Sequence, residues 1–396
     1  MAGNTRVRRF EILDLRAMLV LAMGAIAAVA RAADPSPDAI RHLVDQAVAP
    51  VIKQHHIPGM EVGVIVDGKP YAFVYGFASK EPRRPVTRDT LFELGSISKT
   101  FAATLAASAQ GDGALALSDP ASKYLPALRG SAFDTVTVLH LGTHTHGGLP
   151  LQVPDGIEDN DALMHYFKAW KPAYAPGTHR TYSNPGIGAF GMAAAASLKG
   201  DYAALVGRRV FAALDLKSTY FDVPASRMAD YAQGYAKDDA PVRMKGDVTS
   251  REAYGIRSTV PDLLRFVQAN MGLIDVETKL QHAIVATHTG YFRDGGMTQD
   301  LVWEQYPYPV ALRTLLDGNS PHMIYDATPV TPITPAQAPR TDVWIHKTGS
   351  TNGFGNYVAF VPDRRLGIVI LANKNYPIAD RVTLAHTILT ALDRGR

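Results

Sequence analysis

The chain of 396 residues is 46% hydrophobic and 19% charged and contains no cysteine, a globular composition that excludes a disordered or fibrous protein. The absence of cysteine excludes a disulfide framework, a thiol nucleophile and a thiolate metal site. The formal net charge of +3 at pH 7 gives no reason to expect nucleic acid or an anionic membrane surface as a partner.

Residues 1–32 are typical of a secretory signal peptide. Four arginines precede an apolar run over residues 17–30, and Ala30-Arg31-Ala32 places small residues at a cleavage site. The run is shorter than the roughly 20 residues that a membrane anchor needs. Without residues 1–32 the chain keeps 35 basic and 35 acidic residues. We therefore predict a mature chain, residues 33–396, with no net charge, located in the periplasm and free of the membrane after signal cleavage.

The first predicted elements of the mature chain are two strands, residues 61–66 and 71–75, joined by a tight turn at Asp67-Gly68. Three more strands are predicted near the C-terminus, over residues 343–346, 356–360 and 366–371. A closing helix follows, with apolar residues 384, 388 and 392 on one face. Because short hairpin links join these strands, their pairing is expected to be antiparallel.

The middle of the chain is mostly helical patches, such as residues 202–214 and 263–271, and loops. Residues 321–339 contain five prolines and are predicted to be a long loop near a cleft. The fold class is therefore predicted as α/β (α+β): an antiparallel sheet flanked by helices and built from both chain ends, residues 33–90 and 340–396, with an inserted, mostly helical lobe, residues 91–339. A cleft between the two lobes is the expected ligand site.

A serine and a lysine stand three residues apart where another helix is predicted to begin. Apolar residues 97, 101 and 105 have helical spacing, and glycines at 111 and 113 mark the end. Ser96 is expected in the first turn, on the same face as Lys99. A serine hydroxyl needs a base within hydrogen-bond reach to act as a nucleophile, and Lys99 could supply it. The pair indicates acyl transfer through a serine ester, although Ser-x-x-Lys also occurs by chance as a helix cap beside a solvated lysine.

Two further clusters carry suitable chemistry. Tyr182 offers a phenol that can transfer protons, and Asn184 an amide that can hold a substrate carbonyl. Lys347, Thr348 and Gly349 follow an extended apolar run and place an ammonium and a hydroxyl beside a strand edge, where backbone groups are free for a substrate. Taken separately, these residues are explained equally well by a core tyrosine and an ordinary turn.

The order Ser-x-x-Lys, Tyr-x-Asn, Lys-Thr-Gly resembles that of the active-site serine β-lactamases and penicillin-binding proteins. The middle motif, Tyr182-Ser183-Asn184, is similar to that of class C, the AmpC-type cephalosporinases. The resemblance covers nearly all of the mature chain and extends to residues 91–96, 148–154, 252–255, 354–362 and 371–377. It implies hydrolysis of the β-lactam amide of cephalosporins and penicillins, and thereby antibiotic resistance.

The resemblance also implies the catalytic roles. Ser96 would be the nucleophile that becomes acylated, while Lys99 and Tyr182 share the proton transfers. A phenol with an ordinary pKa near 10 needs cationic neighbours at neutral pH, and Lys99 and Lys347 would provide them. The backbone N–H groups of Ser96 and Ser350 would form the oxyanion hole. Which of Lys99 and Tyr182 accepts the first proton stays open.

Substrate contacts are implied as well. Gln152 and Asn184 would contact the acyl-amide side chain of the lactam, and an aromatic at Tyr254 would line its pocket or simply pack. The remaining implied contacts lie around the Lys-Thr-Gly motif and the C-terminal helix: Thr348, Gly349, Ser350, Asn375 and Arg381. An asparagine common in the family just after residues 375–377 is replaced by Ile378. His346 and Glu304 resemble supporting positions.

Alternative functions use the same residues. A D-alanyl-D-alanine carboxypeptidase or a serine esterase could employ Ser96, Lys99 and Tyr182, and a penicillin-binding sensor would acylate without turnover. A zinc hydrolase needs clustered histidine and carboxylate ligands, which the histidines at 55–56 and at 144 and 146 lack in the sequence. We predict a monomeric enzyme that acts on a small β-lactam without metal or cofactor.

Overall fold

The computed structural model describes residues 1–3 and 36–395. Apart from its first three residues, the predicted signal peptide lies outside the described part. Among the helices of the described part, none combines the length and the hydropathy that a membrane-spanning helix needs.

Helices make up much of residues 36–395. In chain order the α-helices are α1 (Pro37–His55), α2 (Lys99–Gly111), α3 (Ala121–Tyr124), α4 (Val138–Gly142), α5 (Asn160–Ala169), α6 (Asn184–Ser197), α7 (Tyr202–Val206), α8 (Ser250–Ala253), α9 (Val260–Asn270), α10 (Thr278–Ala286), α11 (Leu312–Gly318), α12 (Pro321–Tyr325) and α13 (Ile378–Arg394). Side-chain caps begin several of them, as where Asp159 accepts the N–H of Ala162 at 2.8 Å at the start of α5.

Strands over the same residues form one large sheet and three small pairs. In chain order they are β1 (Gly59–Val66), β2 (Lys69–Ser79), β3 (Arg84–Pro85), β4 (Phe92–Glu93), β5 (His179–Arg180), β6 (Gly234–Tyr235), β7 (Pro241–Val242), β8 (Arg257–Ser258), β9 (Gly290–Asp294), β10 (Met297–Gln299), β11 (Glu304–Pro307), β12 (Thr328–Pro329), β13 (Thr331–Gln337), β14 (Val343–Thr351), β15 (Phe354–Val361) and β16 (Leu366–Ala372).

The large sheet joins the two ends of the described chain. Its ten strands run in the order β13, β9, β10, β11, β14, β15, β16, β1, β2, β3, and every neighbouring pair is antiparallel. Where the two ends pair, Met60 of β1 lies opposite Ala372 of β16. The antiparallel sheet from both chain ends that the sequence predicts is therefore confirmed.

The hairpin between β1 and β2 has the turn expected for a two-residue loop. Asp67 and Gly68 both have positive φ, 50° and 81°, and Val66 pairs with Lys69 across the turn. Positive φ at both central positions is typical of a type I′ turn, whose twist matches that of the strands. Aspartate and glycine are among the residues that adopt this conformation most readily, so the local sequence sets the register.

The sheet also takes four strands from residues 290–337, which the sequence analysis assigned to the helical lobe. The C-terminal part of the large sheet therefore begins before residue 340 in the chain. Residues 321–339, predicted to be one loop, form α12, β12 and β13. The strands β9, β10 and β11 are only three to five residues long, and β13 lies at the sheet edge with mostly exposed side chains. An edge strand tolerates proline and needs no apolar alternation, so its sequence carries no strand signal.

Two hydrophobic cores lie on opposite faces of the sheet. On one face, α1 and α13 pack through buried residues such as Val44 and Ile388. On the other face, α2, α6 and α9 bury Phe101, Phe190 and Phe266. Complete burial of such a side chain contributes roughly 1.5–3 kcal/mol to folding. The helices of this second core bring residues 96 to 184 against the edge of β14, and the cleft described below opens there.

Candidate active site

Ser96 lies in a 3-10 turn, Gly95–Ser98, that runs directly into α2. Ser96 therefore precedes the α-helix, whereas the sequence analysis predicted it in the first turn of that helix. The turn is fixed from both sides, because the N–H of Leu94 donates to the carbonyl of Ile256 at 2.8 Å and the N–H of Ile256 donates to Ser98 Oγ at 3.1 Å. Lys99 Nζ donates to Ser96 Oγ at 2.9 Å. The predicted serine and lysine pair is thus in hydrogen-bond contact.

Two glycines allow the Ser96 turn to touch strand β14. Gly95 has a φ of +57°, and a Cβ there would lie 2.5 Å from the backbone nitrogen of Ser350. A Cβ on Gly349 would overlap the carbonyl oxygen of Leu94. Any larger residue at these two positions would separate the turn from the strand. Ser96 and Ser350 both line the cleft described below.

Lys99 is fully buried and makes three hydrogen bonds. Besides Ser96, it donates to Asn184 Oδ1 at 2.6 Å and to the carbonyl oxygen of Ala253 at 2.8 Å. These acceptors use all three protons of an ammonium group. Burial, with the repulsion of the nearby Lys347, lowers the pKa of Lys99 to about 8 despite the opposing charge of Tyr182. A neutral amine is therefore accessible near physiological pH.

Tyr182 lies two residues before α6 begins and is surrounded by cations. Lys99 Nζ is 5.3 Å and Lys347 Nζ 5.1 Å from the centre of its ring, and Arg180 Cζ is 5.5 Å away. Burial alone would raise the pKa of the phenol, but Lys347, Lys99 and the Ser96 hydroxyl together lower it to about 8. The phenolate is thus stabilised by its neighbours, and Tyr182 can take up or release a proton near neutral pH.

A buried ion pair lies next to this cluster of cations around Tyr182. Arg180 donates to Glu304 Oε1 at 2.8 Å, and His346 Nε2 lies 3.6 Å from Glu304 Oε2. Burial raises the pKa of Glu304, but the charges of Lys347 and Arg180 outweigh it and the pKa is lowered. Burial lowers the pKa of His346 to about 4, so this ring is neutral. The negative Glu304 therefore partly balances the cations around Tyr182.

Asn184 links the lysine to the outer wall of the cleft. Its Oδ1 accepts from Lys99, and its Nδ2 donates to Gln152 Oε1 at 2.8 Å. Its backbone N–H donates to the carbonyl of Leu151 at 2.9 Å, which fixes the loop that carries Gln152. The two predicted amide contacts are therefore adjacent, with Gln152 exposed and Asn184 largely buried.

Arg381, predicted as a substrate contact, has a buried side chain. The side chain is 0% exposed, and its guanidinium donates to the Gly349 carbonyl at 2.9 Å, to Ser350 Oγ at 2.7 Å and to Asn375 Oδ1 at 2.6 Å. It also donates to the carbonyl of Tyr376. The buried guanidinium borders the cleft beside Ser350 and Asn375 and orients both side chains through these hydrogen bonds.

These elements enclose a cleft of about 1220 Å³. Apart from Lys99, which lies behind Ser96, all predicted site residues line it: Ser96, Gln152, Tyr182, Asn184, Tyr254, Lys347, Thr348, Gly349, Ser350, Asn375 and Arg381. Tyr254 is half-buried, and its hydroxyl accepts from the N–H of Asp247 at 3.3 Å. Ile378 lines the cleft as well.

Comparison with known proteins decides the family. Residues 41–393 match the Beta-lactamase family. Over 355 residues the chain is 51% identical to a beta-lactamase from Pseudomonas fluorescens, with 90% of this chain and 99% of that protein covered. The chain belongs to the beta-lactamase family.

Solved structures of this family agree with the sequence and the fold. A crystal structure of D-alanine carboxypeptidase AmpC from Burkholderia cenocepacia is 56% identical, with a TM-score of 0.87 and coverage of 90% of this chain and 100% of that chain. A class C beta-lactamase in complex with cefoxitin is 52% identical, with a TM-score of 0.87 and coverage of 89% and 98%. The predicted class C resemblance, the fold class and the enzyme class, a hydrolase of the β-lactam amide, are confirmed at the level of the family.

Sequence reasoning missed several residues that position this beta-lactamase site. Arg180, which is ion-paired with Glu304, is marked in the sequence only by its position two residues before Tyr182. Asn356 donates to the carbonyl of Glu93 at 2.6 Å, and the Glu93 carboxylate accepts from Thr351 Oγ1 at 2.6 Å. These buried polar contacts fasten β4 to strands β14 and β15. They are long-range pairs, so neither spacing nor periodicity could have revealed them.

Proposed function

We propose that this protein hydrolyses the β-lactam amide of cephalosporins and penicillins through a covalent acyl-enzyme on Ser96. The observation that carries the proposal is the 2.9 Å hydrogen bond from Lys99 Nζ to Ser96 Oγ, in a site where two lysines lower the pKa of Tyr182 to about 8. A serine becomes a nucleophile only when a neighbour can take its proton. Here two neighbours with matched pKa values, Lys99 and Tyr182, are available.

In the proposed acylation, Ser96 Oγ attacks the lactam carbonyl carbon and its proton passes to the pair formed by Lys99 and Tyr182. The backbone N–H groups of Ser96 and Ser350 donate to the oxyanion that forms. When the carbon–nitrogen bond breaks, the pair returns the proton to the lactam nitrogen, so that a ring-opened ester remains on Ser96. This sequence needs no net proton exchange with solvent.

Deacylation requires a base for water, and Tyr182 is the proposed group. Its phenolate, stabilised by Lys99 and Lys347, accepts a proton from the water that attacks the ester. Ser96 Oγ then leaves and recovers that proton through the same pair. A stabilised phenolate beside the ester is what would distinguish turnover from permanent acylation, and it favours a hydrolase over a penicillin-binding sensor.

Substrate orientation is proposed to come from both walls of the cleft. Gln152 and Asn184 hold the acyl-amide side chain, and Tyr254 lines the pocket for its substituent. Lys347 and Thr348, with Asn375 on the same wall, bind the substrate carboxylate. Arg381 acts indirectly, since its guanidinium orients Ser350 and Asn375. Ile378 replaces a polar side chain with an apolar one at this end, which weakens carboxylate recognition there.

The relatives support this substrate class and also favour a second activity. One solved relative is a class C beta-lactamase in complex with cefoxitin, whereas the relative from Burkholderia cenocepacia is described as a D-alanine carboxypeptidase. A structure from Pseudomonas syringae, 49% identical, is described as both. Cleavage of a terminal D-alanine by the same Ser96 is therefore the second candidate activity. A serine esterase would use the same acyl-enzyme.

We infer further that the enzyme acts in the periplasm after cleavage of residues 1–32, as a monomer detached from the membrane. The signal-like pattern of residues 1–32 supports export. Residues 33–396 have no net charge, so we expect no electrostatic binding to an anionic membrane surface. The functional lobes are proposed to meet at the cleft, with residues 290–337 added to the sheet lobe.

The test is to compare the purified, exported protein with its Ser96→Ala variant on a cephalosporin, a penicillin and a peptide ending in D-alanyl-D-alanine. Sustained β-lactam turnover and a covalent adduct at Ser96 by mass spectrometry are expected, and both are expected to vanish in the variant. A single stoichiometric burst without turnover would contradict hydrolysis and indicate a sensor. Faster release of D-alanine than of opened β-lactam would make the carboxypeptidase the main activity.

A further inference from the structure

His144 contacts the backbone on both sides of Tyr182 and the ring of Tyr182, and it has no role in the proposed catalysis. It lies just after α4, is 1% exposed and has a φ of +61°. Its carbonyl oxygen accepts from the N–H of Thr181 at 2.8 Å, and its Nδ1 accepts from the N–H of Ser183 at 3.2 Å. Its ring centre is 4.4 Å from that of Tyr182. One residue therefore holds the backbone on both sides of Tyr182 and one face of its ring.

We propose that His144 is a positioning residue that fixes the phenol of Tyr182 between Lys99 and Lys347. The inference rests on the proposed function, because it concerns the residue that transfers protons there. Tyr182 comes directly before the serine that caps α6, and residues 181–183 belong to no helix or strand. The position of the phenol thus depends on what holds the neighbouring N–H groups.

The protonation state of His144 fits a purely positional role. Because Nδ1 accepts a hydrogen bond, the ring proton of the neutral form is on Nε2. Burial and the neighbouring cations Arg180, Lys99 and Lys347 lower the pKa of His144 well below its ordinary value. The ring is therefore uncharged. The charges that act on Tyr182 come from Lys347 on β14, Lys99 on α2, Arg180 on β5 and Glu304 on β11, and His144 leaves this balance unchanged.

The chain contains a matched control four residues earlier. His140 Nδ1 accepts from the N–H of Thr137 at 3.2 Å, the same kind of bond at the same distance, but in the capping box of α4 and away from Tyr182. Its replacement removes an equivalent hydrogen bond without touching the proposed chemistry. A loss caused only by the missing hydrogen bond, without displacement of Tyr182, would therefore be common to both positions.

The experiment compares His144→Phe, His144→Asn and His140→Phe in the exported protein. Phenylalanine keeps a ring but no acceptor, whereas asparagine tolerates positive φ and places an oxygen near the former Nδ1. Because a displacement of about 1 Å can cost roughly 10²-fold in rate, we expect His144→Phe to lower kcat/KM on a cephalosporin by about that factor. His144→Asn should recover most of the loss, and His140→Phe should keep the wild-type value while losing similar thermal stability.

The pH profile separates positioning from folding. In His144→Phe the phenol moves away from the lysines that stabilise its anion, so the apparent pKa of kcat/KM should rise, while in His140→Phe it should stay. Equal activity losses at the two positions, or an unshifted profile in His144→Phe, would overturn the inference. The rate of Ser96 acylation is measured in parallel. Acylation without turnover in the wild type would reject the proposed hydrolysis but still test His144, and no acylation at all would reject both.

Discussion

At the scale of single residues, the decisive feature is a pair of groups with matched proton affinities. Burial lowers the pKa of Lys99 to about 8, and two lysines bring the pKa of Tyr182 to about 8 from above. With one proton removed, the pair is either a neutral amine beside a phenol or an ammonium beside a phenolate. These two forms have the same net charge, so the groups titrate together with macroscopic pKa values. Either form can accept the serine proton.

Lys347 sets the pH at which this pair becomes active. Its charge lowers the pKa of Tyr182 and also that of Lys99, so its removal should raise both. For Lys347→Gln we expect the rising limb of kcat/KM against pH to move up by about one pH unit or more, with an activity at pH 7 at least about tenfold below the wild type. Initial rates from pH 5 to 10 on one cephalosporin, on a grid of roughly half-unit steps, give the profile.

Lys374→Gln is the control for this prediction. Lys374 is also largely buried at the cleft, but it is neutralised by Asp239 at 2.5 Å and is absent from the charges that act on Tyr182. Its loss should therefore leave the apparent pKa in place, even if it changes KM. A limb that moves equally in both variants would show that general cleft charge, and not Lys347 beside the phenol, sets the profile.

At the scale of elements, the site depends on the contact between the Ser96 turn and β14. Gly349 leaves no room for a side chain, because a Cβ would overlap the Leu94 carbonyl and meet Ile97 Cγ1 at 3.0 Å. Next to this turn, Glu93 of β4 is hydrogen-bonded to Thr351 of β14 and Asn356 of β15. Two backbones in van der Waals contact cannot yield as a flexible side chain can, so the geometry of the proposed oxyanion hole depends on the absence of two Cβ atoms.

We predict that Gly349→Ala separates the turn from the strand. Overpacking of this kind costs about 1–3 kcal/mol in the free energy of unfolding, and kcat should fall because the N–H groups of Ser96 and Ser350 no longer converge. Gly207→Ala is the matched control, since a Cβ there meets nothing within 4 Å. Urea unfolding and steady-state kinetics on both variants provide the comparison. A Gly349→Ala protein with wild-type kcat would contradict the role of this contact.

The same elements show what sequence could predict. The Asp67-Gly68 hairpin, the helix from Lys99 to Gly111 and the strands around Lys347 were predicted because turn chemistry and periodicity are local. The strands β9–β11 and β13 were missed because they are short or exposed at the edge. The residues of the site were found through family motifs, whereas the buried orientation of Arg381 and the contacts of His144 depend on long-range packing. Local patterns do not encode such packing.

At the scale of the whole molecule, strands from the two chain ends pair inside the large sheet, and a buried carboxyl lies there. Glu61 is on β1 between β16 and β2, is 0% exposed, and neither of its carboxyl oxygens has a hydrogen-bond partner. Burial raises the pKa of Glu61 from 4.5 to about 8, with Arg88 opposing and Asp89 adding to the effect. At neutral pH the folded protein therefore holds this group largely protonated.

This burial should make the stability of the whole fold depend on pH. Between about pH 4.5 and pH 8 the folded state binds more protons at Glu61 than the unfolded state does. Stability must therefore fall as pH rises through this window and level off above it. At about 1.36 kcal/mol per pKa unit, the full effect is of the order of a few kcal/mol. Glu61→Gln removes the titrating proton and keeps the shape, so the variant should lose this slope and exceed the wild type most clearly at pH 8 and above.

Thermal unfolding of both proteins at closely spaced pH values measures this slope directly. The level of the Glu61→Gln curve at acidic pH reports the burial of an amide, while its slope reports the missing titration, and only the slope tests the prediction. Glu158→Gln provides the reference, because Glu158 is exposed and its loss should leave the wild-type slope intact. If wild type and Glu61→Gln run parallel from pH 5 to 9, Glu61 is ionised or hydrated in the folded state. In that case the protonation of Glu61 would not make the stability of the large sheet depend on pH.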